Sequence, residues 1–101
     1  EVYNMGVAPH NPLGPVANAV ALHFALSTPN FLIQEDMLTD VPWRWDVVET
    51  EITSKNGYWN VPKKPGLGIE INEKEAKKHP FKQEIVHSNT IRDEDNAILD
   101  W

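Results

Sequence analysis

Two short apolar runs, residues 2–8 and 31–33, flank an alanine-rich stretch at residues 16–26 whose only polar members are Asn18 and His23. That order constrains the fold more than any other feature of the chain. The first run is short, rich in β-formers and closed by Pro9, so it reads as a buried strand with Gly6 as its weak point. Two prolines and a glycine across residues 10–15 rule out regular structure there. Pro15 suits the first turn of a helix, where its missing N–H costs nothing. The stretch that follows is expected to be a helix buried on most of its surface. Ser27-Thr28-Pro29-Asn30 ends it, and Phe31-Leu32-Ile33 reads as a second, wholly apolar strand. Such a strand fits a parallel sheet covered on both faces, so the fold class is α/β.

The second half has a different character. Residues 37–48 read as irregular and carry Trp43 and Trp45. Glu51-Ile52-Thr53 and Tyr58-Trp59-Asn60-Val61 flank Asn56-Gly57, a strong hairpin signal. A linker of proline, glycine and lysine spans residues 62–68, and Ile69-Glu70-Ile71 reads as one more strand. Asn72, with Glu75 three residues on, predicts a capped helix running to about His79 before Pro80. Residues 81–101 are polar and without periodicity, and are expected to lie along a larger body, pinned by Trp101. The apolar start at Glu1, without a methionine, suggests a truncated sequence.

A chain of 101 residues supports one small domain. Nine Lys and Arg stand against fifteen Asp and Glu, a net charge of −6. That sign disfavours nucleic acid and anionic membrane as partners, because phosphate binding needs clustered cation. The pairs Lys63-Lys64 and Lys77-Lys78 read as solvated surface. No cysteine is present, which excludes disulfides and thiolate chemistry and fits a reducing compartment. With no charged-then-apolar signal at the start and no apolar stretch long enough for a membrane, a cytoplasmic location is expected.

Two side chains stand where chemistry is expected. His10 and Glu35 each lie just beyond the carboxyl end of an expected strand, and a helix returns the chain between them. In a right-handed parallel unit both strand ends emerge on one edge. Neighbouring strands lie about 4.8 Å apart, which brings an imidazole and a carboxylate to one rim. In a barrel of parallel strands that rim is the catalytic face. A histidine there is suited to moving a proton. A His-Asn-Pro turn and a glutamate at a strand end also occur as plain solvated surface, so placement alone leaves both readings open.

The string Ala8-Pro9-His10-Asn11-Pro12-Leu13-Gly14-Pro15, the small-residue helix and Asn30-Phe31-Leu32-Ile33-Gln34-Glu35 resemble the seventh and eighth barrel strands of sugar-acid dehydratases. These are the galactonate and gluconate dehydratase-like enzymes of the mandelate racemase subgroup in the enolase superfamily. Asn56-Gly57-Tyr58, Val61-Pro62 and the run from Lys64-Pro65-Gly66 to Ile71-Asn72-Glu73 resemble that family's return into its capping domain, and Asp100-Trp101 its terminus. The resemblance implies the last two strands and helices of a TIM-like (β/α)7β barrel at residues 1–48. It implies a hairpin, linker, short helix and tail packing on an α+β capping domain at residues 49–101.

It also implies a chemistry: magnesium-dependent removal of the proton next to a carboxylate, then loss of the 3-hydroxyl to give a 2-keto-3-deoxy sugar acid. His10 matches the family's general base, and Glu35 the glutamate that hydrogen-bonds the substrate carboxylate, so both are expected to touch substrate. The family's magnesium ligands, the aspartate that orients the histidine and the acid assisting hydroxide departure lie on earlier strands. No metal ligand is therefore assigned in this chain, and alone it is expected to be inactive. The resemblance implies a sugar acid as partner and a homo-oligomer as the assembled form.

Other residues carry blander readings. His23 reads as a structural residue within the apolar helix, and His79 as a cation favoured by a helix C-terminus. His87 has no partner in view. Trp43 and Trp45 read as packing between barrel and capping domain, and Gly66-Leu67-Gly68 is not a phosphate loop, since no helix opens after it. Two further functions stand beside the dehydratase: a racemase or epimerase of the same superfamily, and a non-catalytic α/β interaction module.

Overall fold

The computed structural model describes residues 2–38 and 40–83. The expected tail lies almost wholly outside them, and with it His87 and Trp101. Helix α1 spans Pro15–Ser27, with Pro15 at its start and Gly14 at the N-cap. Its end is set locally: the hydroxyls of Ser27 and Thr28 both donate to Phe24 O, at 2.9 and 2.7 Å, and Pro29 disfavours helical backbone before it. Among the described residues no helix is long and apolar enough to cross a membrane.

The two expected strands flanking α1 do meet in parallel, but only as a single bridge between Val7 and Phe31. Val7 N donates to Asn30 O and Leu32 N to Val7 O, each at 2.9 Å, and the Asn30 amide reaches Met5 O at 2.7 Å. The full strand expected at residues 2–8 does not form. Asn4 turns to a positive φ of 54°, and a lone pair of strands gives too little ladder to hold its ends. The helix is also less covered than expected. Only Asn18 and Ala19 are buried in it, while Val20, Phe24 and Leu26 face outward, as do Leu32 and Ile33 of the second run.

Beyond residue 47 the chain forms two antiparallel pairs. Strand β1, Val48–Thr50, pairs with β4, Ile69–Ile71, in the register Val48 to Ile71 and Thr50 to Ile69. Strands β2, Ser54–Lys55, and β3, Tyr58–Trp59, form the expected hairpin, shifted along the chain from the expected arms. Asn56 and Gly57 have φ of 53° and 79°, the positive pair that a tight hairpin turn of matching twist requires. The expected strand at residues 51–53 is instead the connection between β1 and β2. Thr50 Oγ1 organises it, donating to Gly68 O at 2.9 Å and accepting from Ile52 N at 3.0 Å.

Helix α2, Glu73–Ala76, is shorter than expected and continues as turns to His79. Asn72 caps it, its side chain accepting from Glu75 N at 3.2 Å. The Glu75 carboxylate takes the Lys78 ammonium at 2.7 Å rather than closing the box on Asn72. A small apolar core forms from Val48 and Ile52, with Trp45 tilted against Trp59 at 5.7 Å between ring centroids. Trp43 stacks on His79, which ties residues 41–46 to the end of α2.

Candidate active site

The bridge between Val7 and Phe31 aligns the two segments that leave it, residues 8–14 and 32–38. His10 and Glu35 sit three and four residues beyond that bridge, and their side chains meet there. Nδ1 of His10 lies 2.6 Å from Oε2 of Glu35. The same Glu35 oxygen accepts from the backbone N–H of Asn11 at 2.5 Å. Both partners are open to solvent, His10 at 72% and Glu35 at 43% of side-chain area. A carboxylate on Nδ1 selects the tautomer whose free lone pair is on Nε2, which leaves a ring nitrogen able to accept a proton. Gln34 braces the same turn, its amide donating to Glu35 O at 2.7 Å and to Pro9 O at 3.4 Å.

A buried polar network lies beneath this rim, one that the residue pattern did not reveal. The Asn11 amide donates to Asn18 Oδ1, and the Asn18 amide donates to Asp36 Oδ1. Arg44 closes the chain from the other side. It donates to Asp40 Oδ2 at 2.8 Å and to Leu13 O, and stands 3.9 Å from Asp36 Oδ1. Asn11, Asn18 and Arg44 are each no more than 4% exposed. Burial pushes the Asp36 carboxyl above its ordinary value, against the opposing pull of the Asn18 hydrogen bond and the Arg44 guanidinium. One signal was available in advance: Asn18 is a polar residue in an otherwise apolar helix, and a buried amide needs partners. The other polar member, His23, buries Nε2 without a hydrogen-bond partner among the described residues.

Among the described residues, the acids of this rim do not fit magnesium, the metal implied by the resemblance. A hard divalent cation takes several oxygen ligands at once. Asp36 and Asp40 are drawn to Arg44, and Glu35 to His10 and Asn11. Among the described residues no group of three or more potential ligands is placed to hold a metal ion.

Comparison with known proteins agrees with this architecture. A family model described as enolase C-terminal domain-like matches residues 1–75. A D-galactonate dehydratase family member from Streptomyces bingchenggensis is 35% identical, the match covering 100% of this chain and 24% of that protein. A D-mannonate dehydratase from Caulobacter vibrioides is 38% identical, over 88% of this chain and 21% of its own length. The crystal structure of a mandelate racemase/muconate lactonizing enzyme from Jannaschia sp. CCS1 superposes with a TM-score of 0.75 at 31% identity, covering 86% of this chain and 22% of that one. A second such enzyme, from Sulfitobacter, gives 0.72 at 35% identity, covering 81% and 20%. The chain thus spans about a quarter or less of the length of these relatives. The expected fold class holds: this is a small α/β piece of the barrel architecture these enzymes share. With three quarters of its residues under one family model and dehydratases among its relatives, the chain belongs to the enolase C-terminal domain-like family, a family of enzymes.

Proposed function

We propose that the protein is a sugar-acid dehydratase to which this chain contributes a proton-transfer rim. The observation that carries the reading is the 2.6 Å contact of His10 Nδ1 with Glu35 Oε2 at the ends of two parallel segments. The relatives named as galactonate and mannonate dehydratases direct it to aldonic acids. Residues 1–48 act as the end of the barrel, and residues 49–101 return to a capping domain.

In this account Nε2 of His10 removes the proton at C2, and the C–H electron pair moves into the carboxylate to form an enediolate. Glu35 Oε2 holds the Nδ1 side of the ring, a place the resemblance gives to an aspartate of an earlier strand, and stabilises the imidazolium as it forms. Oε1, free of those contacts, hydrogen-bonds the substrate carboxylate through one proton that the two carboxylates take up from solvent when substrate binds. That bond strengthens as negative charge accumulates and so favours the intermediate over the substrate. The electron pair then forms the C2–C3 double bond as the C3–O bond breaks. The hydroxyl leaves with a proton as water, and the enol becomes a 2-keto-3-deoxy acid. The acid that protonates the hydroxyl and the magnesium ligands belong to residues other than 1–101, so this chain by itself is inactive.

The test is a panel of aldonic acids with the full-length gene product and magnesium. Appearance of a 2-keto-3-deoxy product from any of them supports the reading. Exchange or inversion at C2 without loss of water would replace it with a racemase or epimerase, which shares the first half of the chemistry.

A further inference from the structure

Glu35 and His10 are exposed, so their own contact contributes little to holding them in register. The rigidity lies one layer below. Asn11 serves two tasks: its backbone N–H holds Glu35 Oε2, and its side-chain amide is held by Asn18 Oδ1. Asn18 in turn donates to Asp36, the residue that follows Glu35. One buried amide in the first turns of α1 therefore ties the segment carrying His10 to the segment carrying Glu35. Asn18 is 4% exposed, and its oxygen and nitrogen are both used. Arg44 fixes the far end, reaching Leu13 O on one segment and Asp36 and Asp40 on the other.

We propose that Asn18 is a positioning residue for the His10–Glu35 pair, clamping the two rim segments through Asn11 on one side and Asp36 on the other. The proposal rests on the dehydratase reading only for its kinetic consequence, because the clamp itself needs no substrate. An apolar replacement at this position leaves the buried Asn11 amide without its acceptor and takes from Asp36 Oδ1 its hydrogen bond, with only the Arg44 guanidinium at 3.9 Å remaining. Asn11 then relaxes and takes with it the N–H that orients Glu35. Loss of orientation acts on the chemical step more than on binding.

The test uses the full-length gene product and two readouts. The first is the 15N–1H signal of the His10 Nδ1–H, assigned by its disappearance in His10→Asn. The second is turnover of whichever aldonate the wild-type protein dehydrates. In Asn18→Ala the His10 signal is expected to be lost by exchange, and kcat to fall by about tenfold to 100-fold with KM changed by less than about threefold. Should Asn18→Ala not fold, Asn18→Gln takes its place, since it displaces the amide by one methylene.

The double substitution Asn18→Asp with Asp36→Asn inverts the donor and acceptor while keeping the number of charges. It is expected to restore both readouts toward wild type, where a merely structural role would move only the unfolding temperature. A folded Asn18 variant with the His10 signal and kcat intact overturns the proposal, as does a double variant no better than the worse of its single components. A wild-type protein that turns over no aldonate yet shows an Asn18-dependent His10 signal overturns the dehydratase reading and leaves the clamp standing.

Discussion

Trp43 lies flat against His79, the ring centroids 4.0 Å apart and the planes within 12° of parallel. The two residues belong to the irregular segment before β1 and to the turns after α2. A stacked pair of this kind contributes about 0.5–1.5 kcal/mol beyond the area it covers. His79→Ala should therefore lower the unfolding free energy by about 1 kcal/mol. His79→Tyr, which keeps a ring over Trp43, should recover most of it. Denaturant midpoints of the two variants check this, and an alanine variant as stable as wild type would mean the stack carries no weight.

Arg44 is the most consequential buried charge among the described residues. Its side chain is 3% exposed and it meets Asp40, Asp36 and the Leu13 carbonyl. Removing one partner of a buried ion pair strands the others, which typically costs about 3–5 kcal/mol. Arg44→Ala should lose stability in that range when measured by chemical denaturation. Arg44→Lys should lose less, since it keeps the charge while giving up the forked geometry that reaches Asp40 and Leu13 together. A loss below about 1 kcal/mol in the alanine variant would place this pair with ordinary surface bridges.

Two glycines should respond differently to a methyl group. Gly57 has a positive φ of 79° and open space around its missing side chain, so Gly57→Ala costs only the backbone strain, about 1–2 kcal/mol. Gly68 has a φ of 70°, and an added Cβ would lie 2.9 Å from Pro62 Cβ. Gly68→Ala should therefore be the more damaging of the two, as read from paired melting curves. Equal losses would show that the Pro62 contact relaxes freely.

Glu51 anchors the linker: one carboxylate oxygen accepts from the backbone N–H groups of Lys63 and Lys64. Those two bonds hold its carboxyl below the ordinary glutamate value of 4.5. A depressed value means the folded state favours the ionised form. The resulting stabilisation is present above pH 4.5 and is lost as pH falls through the lower folded value. Glu51→Gln should be less stable than wild type at pH 7, and the gap should close on acidification. A gap that stays constant with pH would assign the effect to shape rather than charge.

The parts legible in the sequence were those written into adjacent residues. Pro15 opens α1, Asn56-Gly57 makes the hairpin turn and Asn72 caps α2, each through chemistry acting within a few positions. The meeting of His10 and Glu35 was legible for a different reason. A strand, a helix and a second strand leave parallel segments little choice about which ends adjoin. Strand β1 was missed because its partner β4 lies across the hairpin and linker, and nothing in Val48-Glu49-Thr50 alone announces the pairing. His79 looked like a charge at a helix end, whereas α2 closes before it and the ring packs on Trp43. The Asn11–Asn18–Asp36–Arg44 network joins residues from four segments, so only folding assembles it.

The most direct test of the account is exchange of the C2 proton of a turned-over aldonate in deuterated water, with full-length wild-type protein against its His10→Asn variant. If His10 is the base, the wild-type protein washes deuterium into C2 or releases the proton on turnover. The variant should do so slower by about 100-fold or more, with magnesium affinity unchanged. Exchange at the wild-type rate in a folded His10→Asn protein would contradict the claim and remove this residue from proton transfer.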